Sequence, residues 1–72
     1  MKVSARNQLS GKVVGVQKGQ TTAHIRVDIG GGAIVTSSIT NEAVDELNLK
    51  AGDGVTVIVK ASDVMIGKRL PS

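Results

Sequence analysis

The chain has 72 residues, carries a formal net charge of +3 at pH 7, and contains no cysteine, phenylalanine, tyrosine or tryptophan. Its length allows one small domain, and without disulfides or thiolate metal sites such a domain usually needs assembly for stability, so we expect an oligomer. The basic charge would suit a nucleic acid, but single-strand and RNA-binding sheets stack bases on aromatic side chains, which this sequence lacks.

Two strands are predicted in the first half of the chain. Residues 7–17 are rich in valine, and the apolar positions change phase between Val13 and Val14, which indicates a bulge near a glycine. After a turn at 18–20, residues 21–29 alternate between apolar and polar side chains, which predicts a half-buried strand. Its apolar face holds Ala23, Ile25, Val27 and Ile29.

The glycine run at 30–32 predicts a hairpin loop, because glycine adopts the positive φ angles of tight turns at little cost. A phosphate-binding loop is the alternative. Such a loop opens a helix and needs a lysine at set spacing, whereas residues 33–39 continue as a strand. Residues 40–49 then change to helical spacing, with Thr40 as the N-cap.

The last third of the chain predicts two further strands, at 55–61 and 64–68. Five strands with one short helix between the third and fourth match a mainly β, OB-like antiparallel barrel. Outward apolar residues in these strands need cover, and a partner subunit is the simplest cover. We predict a single domain over residues 1–72, with a frayed tail at 69–72.

The cellular location is predicted from the start of the sequence. Met1-Lys2-Val3 runs directly into polar sequence, with no apolar signal core. No stretch approaches the roughly 20 apolar residues that a membrane span needs. We therefore expect a cytoplasmic protein with no membrane partner.

Two short polar pairs lie near opposite ends of the chain. If both segments are extended, the two-residue period of a strand places Ser4 and Arg6 on one face, and likewise Lys60 and Ser62. Each pair then offers a hydroxyl and a cation side by side, as a small doubly charged oxyanion requires. The alternative is that the cations are solvated edge-strand charges and the serines are turn or cap residues.

The strings Ser4-Ala5-Arg6-Asn7-Gln8-Leu9 and Lys60-Ala61-Ser62-Asp63-Val64-Met65 closely resemble those of the molbindin, or Mop-domain, family. The resemblance covers nearly the whole chain. It implies a small cytoplasmic protein that binds molybdate or tungstate, without an organic cofactor, for intracellular storage, buffering or homeostasis. It also implies an OB-like barrel that assembles as a homohexamer, a trimer of dimers, with the oxyanions held at subunit interfaces.

By position, the resemblance assigns seven residues to the oxyanion site: Ser4, Ala5, Arg6, Thr40, Lys60, Ala61 and Ser62. It implies that residues 4–6 come from one subunit and residues 60–62 from its neighbour. The family often has a second serine three residues after the position of Thr40, where this chain has Ala43. Either a backbone N–H or water replaces that hydroxyl, or this chain binds more weakly than its relatives.

The runner-up interpretation is an OB-like interaction module that binds protein or nucleic acid, although the missing aromatic residues disfavour nucleic acid. An enzyme is not predicted, because no nucleophile has an adjacent base in the sequence. The single histidine, His24, lies on the polar face of a predicted strand without a metal-ligand cluster. The sequence thus predicts a non-enzymatic oxyanion binder with no directly bound metal ion.

Overall fold

The computed structural model describes residues 1–70, which form four strands, one α-helix and a short 3-10 helix. The elements are β1 (Asn7–Lys18), β2 (Thr22–Gly30), β3 (Ala33–Thr40), α1 (Asn41–Leu47), β4 (Gly54–Val59) and the 3-10 helix Ala61–Asp63. All neighbouring strands are antiparallel, in the order β3-β2-β1-β4. This confirms the mainly β class with one short helix. Residues 71 and 72 of the predicted frayed tail lie outside the described part.

The predicted irregularity in the first strand is a bulge in β1. The register between β1 and β2 shifts between Val13 and Gly15. Val13 is 1% exposed, whereas Val14 is 47% exposed, so the bulge keeps one valine in the core and turns the next outward. The bulge lets β1, the longest strand, pair with β4 through its first half and with β2 through its second.

The glycine run forms the predicted hairpin between β2 and β3. Gly30, Gly31 and Gly32 have φ angles of 95°, 63° and 82°. Residues other than glycine rarely adopt these angles, because their Cβ would crowd the backbone. The Asp28 carboxylate accepts a hydrogen bond from the Gly30 backbone N–H at 2.8 Å, which holds the start of the turn. A strand follows the loop, so the phosphate-loop alternative is excluded.

The core lies between the inner face of the sheet and α1. Its fully buried members are Val13, Ala23, Ile25, Val27 and Val44. Three of these come from the predicted apolar face of β2, and one comes from the helix. The helix begins at the predicted N-cap and ends earlier than predicted, because Asn48 takes a left-handed conformation with φ 51°. Within residues 1–70, no helix is long and apolar enough to cross a membrane.

The predicted fifth strand is absent from the described residues of this single chain. Strand β4 ends at Val59 rather than at residue 61, and residues 64–70 have no regular secondary structure. Met65 and Ile66 are 92% and 89% exposed. A strand needs a partner with free backbone groups, and no strand among residues 1–70 pairs with this segment. The four-stranded sheet therefore has two free edges, at β3 and β4.

Candidate functional site

The pairing of β1 with β4 brings two distant parts of the sequence together. Asn7, the first residue of β1, is the register partner of Val59, the last residue of β4. The Asn7 side chain also donates a hydrogen bond to the Val59 carbonyl at 3.2 Å, across 52 positions of sequence. Residues just before β1 and just after β4 therefore meet at one end of the sheet.

An open recess of about 620 Å³ lies at this end of the sheet. It is lined by Ser4, Ala5, Arg6, Ile58, Lys60, Ala61, Ser62 and Asp63. Six of the seven residues predicted for the oxyanion site therefore border one recess. The recess is open to solvent along one side, and its volume is much larger than one water-sized site requires. The lining residues therefore leave the recess open on the side that faces away from the sheet end.

The secondary structure of residues 4–6 and 60–62 differs from the extended conformation that would place each polar pair on a strand. Residues 4–6 precede β1, and residues 61–63 form the 3-10 helix, so placing both polar pairs on strands was wrong. The reason is that β4 ends at Val59, which leaves residues 4–6 without an opposing strand residue. Hydrogen bonds hold the segments instead: Gln8 Nε2 donates to the Ala5 carbonyl at 3.3 Å, and the Asp63 N–H donates to the Lys60 carbonyl at 2.9 Å.

Thr40 is the one predicted site residue that does not line the recess. Its Oγ1 accepts a hydrogen bond from the Ala43 backbone N–H at 3.0 Å and caps α1. That N–H donor is therefore already engaged by Thr40 within the chain. The single chain gives Thr40 a structural role, and its assignment to oxyanion binding stays a prediction.

The charged groups of the recess are Arg6, Lys60 and Asp63. In the part of the chain that the structure describes, the ion pairs are Lys18 with Asp45 and Lys50 with Asp53. Arg6 and Lys60 thus have no carboxylate within ion-pair distance among residues 1–70 and can donate to a ligand. Asp63 is not among the seven residues that the sequence assigned to the site. Its position directly after Ser62 was the signal that could have placed it here.

The described residues hold no cluster of three or more His, Cys, Asp or Glu side chains that could bind a metal ion. A second cavity, of about 200 Å³, is lined mainly by core side chains such as Val13, Ile25 and Val57. It has no cationic side chain along its wall and does not suit an anion. The recess at the end of β1 and β4 is therefore the candidate site.

The fold and the recess define a small β protein whose hydroxyl and cationic side chains converge at one end of an open sheet. The chain belongs to the TOBE domain family, whose sequence pattern matches residues 3–66. It is 52% identical to molybdenum-pterin-binding protein 2 of Clostridium pasteurianum over 66 residues, which cover 92% of this chain and 97% of that protein.

Two solved structures share this fold over nearly the whole chain. MopII from Clostridium pasteurianum matches with a TM-score of 0.87 and 49% identity, over 93% of this chain and 100% of that chain. A molybdate-binding protein from Sporomusa ovata matches with a TM-score of 0.88 and 38% identity, over 94% of this chain and 100% of that chain. These similarities confirm the Mop-type resemblance that the two sequence strings predicted.

Proposed function

We propose that this protein binds molybdate, as the intact tetrahedral oxyanion, in the recess at the end of β1 and β4. The observation that carries the proposal is that six residues, from segments more than fifty positions apart, line this one recess. Two relatives of high similarity are named for binding molybdenum-pterin and molybdate. The proposed ligands are Ser4, Ala5, Arg6, Lys60, Ala61 and Ser62, with Thr40 as a seventh.

The chemistry of these residues suits molybdate. Molybdate is a dianion near neutral pH that only accepts hydrogen bonds, so its site must consist of donors with positive charge nearby. Arg6 and Lys60 supply charge, Ser4 and Ser62 supply hydroxyls, and the backbone N–H of Ala5 is a neutral donor. No catalytic group is required, and the proposed activity is binding for intracellular storage or buffering, with no organic cofactor.

The energies of such contacts are sufficient for a useful affinity. Two charge-assisted hydrogen bonds at roughly 1.5–3 kcal/mol each, with several neutral ones near 1 kcal/mol, total about 6–10 kcal/mol before association costs. Micromolar affinity requires about 8 kcal/mol, so the donors must be held in place before binding. The hydrogen bonds of Asn7, Gln8 and Asp63 support this by fixing both segments. Tungstate has the same shape and charge and is included in the proposal.

We propose further that the complete site forms in a homohexamer, a trimer of dimers. The recess is too open for one chain to surround an oxyanion, and the apolar residues 64–66 are exposed beside a sheet with two free edges. Against a second copy, residues 64–68 would become the fifth strand and would close the OB-like barrel. Arg6 and Lys60 of one chain already border the same recess, and donors from a neighbouring chain would complete the site around the bound dianion.

The binding proposal is tested by titration calorimetry of the purified protein with molybdate, tungstate, sulfate and phosphate. We expect saturable binding of molybdate and tungstate near micromolar affinity, with sulfate and phosphate weaker. The number of anions per chain reports whether sites are shared between subunits. Absence of molybdate binding at millimolar ligand would refute the proposed function.

The assembly proposal is tested by substituting an exposed apolar residue of the 64–68 segment. We expect Ile66→Asp to lower the mass measured by light scattering from that of a hexamer to that of smaller species, because a buried interface does not accept an unpaired charge. Gln20→Asp, in the exposed turn before β2, adds the same charge and serves as the control. Molybdate should raise the melting temperature of the wild-type assembly. A monomeric wild-type protein, or an unchanged mass for Ile66→Asp, contradicts the proposal.

A further inference from the structure

One acidic residue borders the recess, and the proposed binding does not use it. Asp63 lines the recess together with Arg6 and Lys60, and it is the only acidic residue among the eight that border it. A carboxylate accepts hydrogen bonds and carries negative charge, so it repels a dianion that also only accepts hydrogen bonds. An oxyanion site built only for tight binding would not place an acid there.

The backbone does not require this carboxylate. The 3-10 turn is closed by the Asp63 backbone N–H, which donates to the Lys60 carbonyl at 2.9 Å, and any residue with an N–H can make that bond. Among residues 1–70 the Asp63 side chain makes no ion pair within 4 Å and no side-chain hydrogen bond. Within one chain, the carboxylate is therefore left to act through its negative charge beside the recess.

We propose that Asp63 is an affinity-setting residue, whose charge weakens oxyanion binding so that the bound anion exchanges readily. This inference rests on the proposed function. Arg6 and Lys60 would give the recess a charge of +2, which balances a dianion, and Asp63 lowers that charge to +1. A protein that stores an oxyanion must also release it, and a carboxylate near the ligand would speed release without any conformational change.

The size of the effect depends on the charge of the ligand. A carboxylate close to the bound anion, partly screened by water, changes the binding constant of a dianion by about tenfold. Coulomb energy is proportional to the ligand charge, so a tetrahedral monoanion such as perrhenate feels half the repulsion. Its binding constant should therefore change by the square root of ten, or about threefold. A purely structural role of Asp63 would not produce this dependence on charge.

The test is calorimetry of the full chain with molybdate and with perrhenate, for the wild type and three variants. We expect Asp63→Asn to bind molybdate about tenfold more tightly than the wild type, and perrhenate about threefold more tightly. Asp63→Glu keeps the charge and should stay near the wild-type affinity. Glu46→Gln removes one negative charge on α1, away from the recess, and should change molybdate affinity less than twofold.

The outcomes separate this inference from the proposed function. If the wild type fails to bind molybdate, the proposed function fails. If the wild type binds and Asp63→Asn has the same or a weaker molybdate affinity, Asp63 does not set the affinity. The inference is also overturned if Asp63→Asn raises the affinities for molybdate and perrhenate by the same factor. It fails likewise if Glu46→Gln raises molybdate affinity as much as Asp63→Asn does, because a charge far from the recess should not have that effect. Circular dichroism and light scattering of each variant show that fold and assembly are retained.

Discussion

Replacing Arg6 with glutamine is expected to weaken molybdate binding about 100-fold while the chain still folds. A hydrogen bond to a charged group contributes about 1.5–3 kcal/mol, which is roughly 10- to 150-fold in affinity. Arg6 is exposed and makes no ion pair within residues 1–70, so its loss leaves no buried group without a partner. Titration calorimetry measures the change in affinity, and the melting temperature without ligand shows whether stability is retained.

Arg26→Gln is the matched control for this prediction. Arg26 is exposed on β2, where its register partners are Gly15 on β1 and Thr36 on β3. The substitution removes the same charge but leaves the recess unaltered, so molybdate affinity should change less than threefold. Equal losses for Arg6→Gln and Arg26→Gln would mean that only net charge matters, and the assignment of Arg6 to the site would be wrong.

The second large effect concerns stability: Gly11→Ala is expected to lower the free energy of unfolding by about 2 kcal/mol. Gly11 lies in β1, and a Cβ there would be 2.6 Å from Val27 Cγ1 and 2.8 Å from the Asp28 carbonyl oxygen. Both distances are well below the van der Waals contact distance, and the carbonyl oxygen belongs to the backbone, so it cannot move aside by a side-chain rotation. For a domain of this size the melting temperature should fall by about 8–16 °C, as measured by calorimetry or circular dichroism.

Gly15→Ala provides the comparison within the same strand. A Cβ at Gly15 would meet only Arg26 side-chain atoms, at 3.9 and 4.0 Å, which is ordinary van der Waals contact. Because alanine has less freedom than glycine in the unfolded chain, this variant should match or slightly exceed the wild-type stability. If Gly15→Ala loses as much stability as Gly11→Ala, the close approach of β1 to β2 is not the cause.

The parts of the fold that could be predicted from sequence are those set by neighbouring residues. The alternation that ends at Ile29 placed β2 and its buried face, and the change of apolar phase at Val13 located the bulge. The glycine run at 30–32 predicted the hairpin, and Thr40 as N-cap predicted the start of α1. Each depends on a local period, a positive φ angle or a side-chain cap, all of which the sequence displays directly.

The parts that could not be predicted depend on partners that are distant in sequence or lie on another chain. The 64–68 segment has the apolar residues of a strand, but a strand forms only beside another, and residues 1–70 offer it no pairing. The extended conformation considered for Ser4 and Arg6 is not part of a strand either, because the neighbouring strand β4 stops at Val59 and offers them no partner. Local alternation does not show where an opposing strand ends.

The register of Asn7 with Val59 links the recess to the folding of almost the entire chain. The residues that line the recess come from 4–6 and 60–63 together with Ile58, so the recess forms only where β4 pairs with β1. Neither half of the chain alone contains both sets of residues, so a fragment of either half should lack the proposed site. Local loss of the β1–β4 pairing should therefore abolish binding at the proposed site even where the rest of the sheet stays folded.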